Sequence, residues 1–92
     1  MIGSFRHKGL RQLFEEDLAK GVNPDHVQKL RQILFALQAS QQIEGLNVPA
    51  FRLHPLTGDL KGFWSITVRA NWRVIFRFVD GKAFDIDLVD YH

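Results

Sequence analysis

Trp64-Ser65-Ile66-Thr67-Val68, Trp72-Arg73-Val74-Ile75-Phe76-Arg77-Phe78 and Phe84-Asp85-Ile86-Asp87-Leu88-Val89 are the three runs that decide the fold. In each, every second residue is apolar, which is the period of a strand with one buried face. Three half-buried antiparallel strands follow. A two-residue turn at Asp80-Gly81 sets Arg77 opposite Phe84 and mixes the faces. A three-residue loop, Asp80-Gly81-Lys82, pairs Phe78 with Phe84, Phe76 with Ile86 and Val74 with Leu88, and sets Arg77 opposite Asp85. Since a one-residue slip exposes the whole apolar set, the longer loop is the expectation. By the same logic Arg69-Ala70-Asn71 joins Val68 to Trp72.

Upstream, Leu10, Leu13, Phe14 and Leu18 recur at helical spacing, and Gly21 is the expected stop. Asn23-Pro24 restarts a helix, with Asn as cap and Pro at the first helical position. That second helix carries Val27, Leu30, Ile33, Leu34 and Leu37 on one stripe and fades near Ser40. Ile2 to Arg6 reads as a short first strand. Residues 41–62 hold Pro49, Pro55, Gly45, Gly58 and Gly62, which disfavour long regular elements, although Phe51 to His54 is a candidate short strand. A loop of that length in a small domain is often functional. The expected architecture is α+β, one domain over residues 1–92, with two N-terminal helices packed on one face of a small, mostly antiparallel sheet. The other face is expected to stay open and to carry Thr67, Arg73, Ile75, Arg77, Asp85, Asp87 and Val89.

The chain has 92 residues, 46% hydrophobic and 24% charged, a globular composition with room for one core. It has no cysteine, so no disulfide supports the fold, and a reducing compartment fits. No apolar run reaches the ~20 residues of a membrane span, and the start lacks a signal peptide's apolar stretch. The expected location is the cytoplasm. Net charge is only +2, but residues 52–82 gather Arg52, Lys61, Arg69, Arg73, Arg77 and Lys82 against Asp59 and Asp80. A locally basic sheet suits a polyanion, although exposed strand faces carry such charge without a partner.

No P-loop, dinucleotide glycine pattern, Gly-x-Ser-x-Gly or His-Glu-x-x-His is present. His7, His26, His54 and His92 lack metal-site spacing among themselves. His7 and His26 read as structural or surface residues near helix starts. The remaining chemistry is imidazole, phenol, guanidinium and carboxylate. The sequence ends on Asp90-Tyr91-His92, just beyond the apolar Phe84, Ile86 and Leu88, so these residues are expected to be anchored rather than frayed. With His54 and Arg73 they suit RNA cleavage by the RNA's own 2′-hydroxyl, which needs positioning, positive charge and proton carriers, but no cofactor. Each has a plainer alternative. His54 can be a turn residue, Arg73 can pair with Asp87, Tyr91 can cap the core, and Asp90 and His92 can fray.

Six stretches carry a resemblance: Ser4-Phe5-Arg6-His7-Lys8-Gly9-Leu10, Arg52-Leu53-His54-Pro55-Leu56, Gly58-Asp59-Leu60-Lys61-Gly62, Trp64-Ser65-Ile66-Thr67-Val68, Asn71-Trp72-Arg73 and Asp90-Tyr91-His92. In order and spacing the chain resembles the HigB toxins of the RelE superfamily of bacterial toxin–antitoxin systems. The resemblance implies a RelE-like fold and a ribosome-dependent mRNA endonuclease that cuts message in the decoding site and favours adenine-rich codons. It implies metal-free chemistry leaving a 2′,3′-cyclic phosphate or 3′-phosphate and a 5′-hydroxyl. The implied partners are the 70S ribosome with its mRNA and a HigA-like helix-turn-helix antitoxin, with DNA reached only through the antitoxin and no membrane. The family's active positions fall on His54, Arg73, Asp90, Tyr91 and His92, and Lys61, Arg69 and Arg77 become candidate RNA or ribosome contacts. One departure stands out: Thr57 occupies a place where close relatives carry a lysine, and Lys61 in the same loop is a partial substitute. A non-catalytic RNA-, ribosome- or antitoxin-binding module of the same fold is the alternative.

Overall fold

The structure, a computed structural model, describes residues 1–91, so the site candidate His92 lies outside the described residues. Its sheet has four strands, β1 (His54–Pro55), β2 (Phe63–Arg69), β3 (Trp72–Val79) and β4 (Lys82–Asp90). They lie in that order, each antiparallel to its neighbour. Helices α1 (Lys8–Glu16) and α2 (Val27–Ala39) precede them. Leu10 and Leu13 from α1 join Leu30, Ile33, Leu34 and Leu37 from α2 against Ile66, Val74, Phe76 and Ile86 of the sheet in one core. Each such side chain contributes roughly 1.5–3 kcal/mol relative to exposure. The α+β layout matches the sequence reading. The expected first strand is reduced to two isolated parallel bridges, Ile2 to Ala83 and Phe5 to Ile86, along the outer edge of β4.

Side chains cap the start of α1 and the short turn that leads into α2, while α2 itself has no side-chain cap. His7 Nδ1 accepts from the Leu10 N–H at 3.1 Å, and Asn23 Oδ1 accepts from the Asp25 N–H at 2.8 Å in the short turn leading to α2. The end of α1 differs from expectation. It stops at Asp17, at φ 56, four residues before Gly21, and Leu18 is left outside the helix and 40% exposed. Glu15, Glu16 and Asp17 crowd the negative end of the helix dipole, and aspartate tolerates the left-handed region better than most residues. Leu18 N–H then donates back to Gln12 O at 3.2 Å and closes the helix. Gly21 serves a different purpose: a Cβ there would lie 2.7 Å from the Gly9 Cα, so it permits a close backbone crossing onto α1.

The expected register holds away from the turns and fails toward both of them, where the expected Phe78–Phe84 and Arg77–Asp85 pairs do not form. Val74 faces Leu88 and Ile66 faces Val74, as the alternation demands. Near the turn, however, Val79 pairs with Lys82, Phe78 with Ala83 and Arg77 with Phe84. The connection is the two-residue Asp80-Gly81 turn, with φ 50 and 78, the sterically favoured hairpin form. A bulge at Asp85, φ 53, absorbs the one-residue difference. Ala83, not Phe84, therefore joins the core beside Ile86. The β2–β3 hairpin repeats the device. Arg69 pairs with Trp72 across Ala70-Asn71, and a shift between Thr67 and Arg69 restores the register.

The face opposite the helices is not fully open, contrary to expectation. Residues 41–62 fold into short 3-10 turns and β1 rather than a strand over Phe51 to His54. This segment lays Leu56 and Leu60 over Phe63, Ile75 and Val89 in a second small cluster. Ile75 is only 2% exposed as a result. Ile75→Ala should cost about 2–4 kcal/mol, read as a lower midpoint in urea unfolding. A change within ~0.5 kcal/mol, the range of a surface site, would mean that the loop does not cover this face.

Candidate active site

Beside that second cluster the sheet stays open in a cleft of about 300 Å³. Each wall comes from a different element. β1 places His54 opposite Ser65 of β2, and both line the cleft. The next outward-facing pair, Thr67 and Arg73, sit opposite each other on β2 and β3 and line it too. Tyr91 follows β4, and its N–H donates to Asn71 O in the β2–β3 turn at 2.7 Å. That bond holds the last described residue against the sheet, with its side chain at the cleft and 49% of the residue exposed.

Three of the expected site residues, His54, Arg73 and Tyr91, therefore converge from three chain segments. The plainer readings of Arg73 and Tyr91 do not hold. Arg73 faces Val89 in the sheet, and its Nη1 donates to Ala70 O at 2.5 Å and Trp72 O at 3.1 Å rather than to Asp87. The turn's own carbonyls thus steer the guanidinium. Tyr91 does not cap the core. Asp90 ends β4 opposite Trp72, exposed, and is not among the described residues lining the cleft. Thr57 does line it. Lys61, Arg69 and Arg77 are exposed and lie outside the cleft.

Arg52 was read only as one charge in a basic stretch, yet it lines the cleft. It occupies a left-handed conformation, φ 48, at the end of the Pro49–Phe51 turn, two residues before His54. Its place directly before Leu53-His54 was the available signal. His26 is buried, 5% exposed, and its ring lies 5.7 Å from that of Trp72, so it belongs to the packing between α2 and the sheet.

The cleft holds two guanidiniums, an imidazole and a phenol, and no carboxylate among the described residues that line it. Its field favours an anion. Fixed planar guanidiniums match phosphate oxygens, while His54 and Tyr91 can carry protons. Among the described residues, no three His, Cys, Asp or Glu side chains converge as a metal-binding group.

Comparisons with known proteins bear on the family and the fold. "Endoribonuclease HigB" of Proteus vulgaris is 47% identical over 92 residues, covering 100% of both chains. "Toxin HigB-1" of Vibrio cholerae is 36% identical over 87 residues, covering 92% of each. Among solved structures, a YafQ mutant from E. coli superposes with a TM-score of 0.63 at 17% identity, covering 98% of this chain and 93% of that one. A YoeB/ParE toxin from Agrobacterium tumefaciens gives 0.62 at 14% identity, covering 100% and 99%. These two share the fold. The family described as "RelE-like toxin of type II toxin-antitoxin system HigB" matches residues 3–92, and the chain belongs to it.

Proposed function

We propose that this toxin is a ribosome-dependent mRNA endoribonuclease acting at the cleft of His54, Arg73 and Tyr91. The observation that carries the reading is the convergence of these three side chains, from β1, β3 and the end of β4, on a cleft with no carboxylate side chain among the described residues that line it. A phosphodiester seated there meets Arg73 and Arg52 as fixed cations. The RNA 2′-hydroxyl attacks the neighbouring phosphorus as the bond to the 5′-oxygen breaks, leaving a 2′,3′-cyclic phosphate and a 5′-hydroxyl. One proton leaves the nucleophile and one reaches the leaving oxygen. That His54 and Tyr91 come from opposite edges of the sheet, β1 and the end of β4, supports their assignment as the two proton carriers of an in-line displacement. Asp90 and His92, flanking Tyr91 in sequence, complete the proposed set.

Ribosome dependence is supported by charge. A net charge of +2 gives little attraction to naked RNA, so positioning has to come from a second surface. Lys61, Arg69 and Arg77 are the proposed contacts to RNA. The family implies an antitoxin partner, and we take it to be a HigA-like helix-turn-helix protein. No helix of the described residues is long and apolar enough to cross a membrane, and the proposed place of action is with cytoplasmic ribosomes.

His54→Ala and Tyr91→Ala should each lower message cleavage by about 10²-fold with little change in thermal stability, because both residues are exposed. Induced expression followed by mapping of mRNA 5′ ends checks this. Identical cleavage maps for wild type and the double variant would sink the reading and favour the binding module. Thr57→Lys adds a cation to the cleft wall and should raise kcat/KM by roughly tenfold. A lysine without effect there would mean that Arg52 and Arg73 already supply the needed charge.

A further inference from the structure

On the same sheet face, beyond the Leu56–Phe63–Ile75 cluster, a second cationic unit stands apart from the cleft. Its floor is the ring of Phe63, which is 4% exposed. Two guanidiniums lie over that ring, Arg77 with its Cζ 4.7 Å from the ring centre and Arg6 at 5.6 Å. Asp85 stands between them, with Oδ2 3.5 Å from Arg77 Nε and 4.0 Å from Arg6 Nη2. All three are held from behind. The Arg6 N–H donates to Ile86 O at 2.8 Å, the Asp85 N–H donates to Ser4 Oγ at 2.9 Å, and Arg77 lies within the β3 ladder.

The unit is arranged to face outward. One carboxylate serves two guanidiniums, so a positive charge is left over. Asp85 engages Arg77 through Nε, at 3.5 Å from Oδ2. Beside Arg77, Gly62 carries no side chain, and a Cβ there would make ordinary contact with Arg77 Nη1 at 3.6 Å. The Arg6 and Arg77 side chains are 54% and 49% exposed. A paired surface arginine used only for stability contributes little.

We infer that Arg6, Arg77 and Phe63 form a second phosphate-binding site, a clamp for an RNA backbone that enters or leaves the cleft. This rests on the endoribonuclease reading and adds Arg6 and the Asp85 bracket to it. Arg77 is four residues along β3 from Arg73, roughly 13 Å at strand rise, so the two sites engage different phosphates. Rigid guanidiniums present paired N–H groups to one phosphate without loss of much side-chain freedom on binding. The phosphate comes either from the message or from ribosomal RNA.

The test measures binding of the full chain to two probes across a salt series. One is an adenine-rich, 2′-O-methylated oligoribonucleotide that cannot be cut, the other vacant 70S ribosomes. Arg6→Ala and Arg77→Ala should each weaken binding by about tenfold and lower the slope of log K against log salt by about one. Asp85→Asn removes the competing charge and keeps a residue tolerant of φ 53, and should tighten binding severalfold. Losses with the oligonucleotide assign the message, and losses with ribosomes alone assign ribosomal RNA. An unchanged salt slope in both arginine variants overturns the clamp, as does Asp85→Asn weakening binding as much as they do. So does loss of antitoxin binding with both RNA probes unaffected, which would give the surface to a protein. A wild-type chain that leaves translated message intact refutes the endoribonuclease reading instead, and it is scored separately from the binding slopes.

Discussion

β3 and β4 are subject to two demands that differ by one residue. The Asp80-Gly81 turn, with both residues at positive φ, requires Val79 opposite Lys82. The apolar alternation farther along requires Val74 opposite Leu88. The bulge at Asp85 satisfies both by spending one extra residue on β4. Without it, either the turn would be strained or Ile86 and Leu88 would turn away from the helices. Much of the molecule's surface follows from this one kink. It brings Ala83 and Ile86 into the core although they are three apart, and it hands the Asp85 N–H to Ser4 Oγ, tying the N-terminal segment to the sheet edge. It also turns the Asp85 carboxylate toward Arg6 and Arg77.

The same physics shapes the cleft. The shift between Thr67 and Arg69 lets the short Ala70-Asn71 turn coexist with a Thr67–Arg73 pair on the outward face. That turn then offers Ala70 O to the Arg73 guanidinium and Asn71 O to the Tyr91 N–H. Two site residues far apart in sequence are oriented by one tight turn. Backbone carbonyls on a rigid hairpin are better positioning devices than long side chains, because little conformational freedom remains to be lost when a ligand arrives.

Periodicity revealed the strands, the helix stripes and the long-range register, because burial of one face admits only one alternation. It could not reveal the bulges. From the chain alone, a three-residue loop and a two-residue turn plus a bulge keep the same distant pairs together, and only the preference of Asp-Gly for a tight hairpin separates them. The end of α1 was hidden for a similar reason. Leu18 fits the helical stripe, but the acidic run before it opposes the dipole, and the stripe outweighed the charge in the reading. His54, Arg73 and Tyr91, which line the cleft, were named from residue chemistry, each beside a plainer reading, and from the family resemblance. Arg52 was not, because its place depends on a left-handed backbone turn that no spacing rule encodes. Ile75 was misjudged because its cover comes from an irregular loop, Leu56 and Leu60, which has no period to read.

That irregular loop also explains how so small a chain can hold two separate cationic sites on one sheet face. A four-stranded sheet with helices on one side leaves the other side wet unless something covers it. Here Leu56, Leu60 and Phe63 cover only the middle, over Ile75. The cover packs through apolar side chains and stabilises the middle of the sheet. Arg73 and Arg77 share one strand and one face, yet the buried Ile75 between them keeps their guanidiniums in different surroundings. Arg73 is fixed by carbonyls beside proton carriers, and Arg77 by a carboxylate over an aromatic ring. The first environment suits a phosphate that reacts. The second suits a phosphate that is only held, because the carboxylate beside it, Asp85, is already engaged by both guanidiniums.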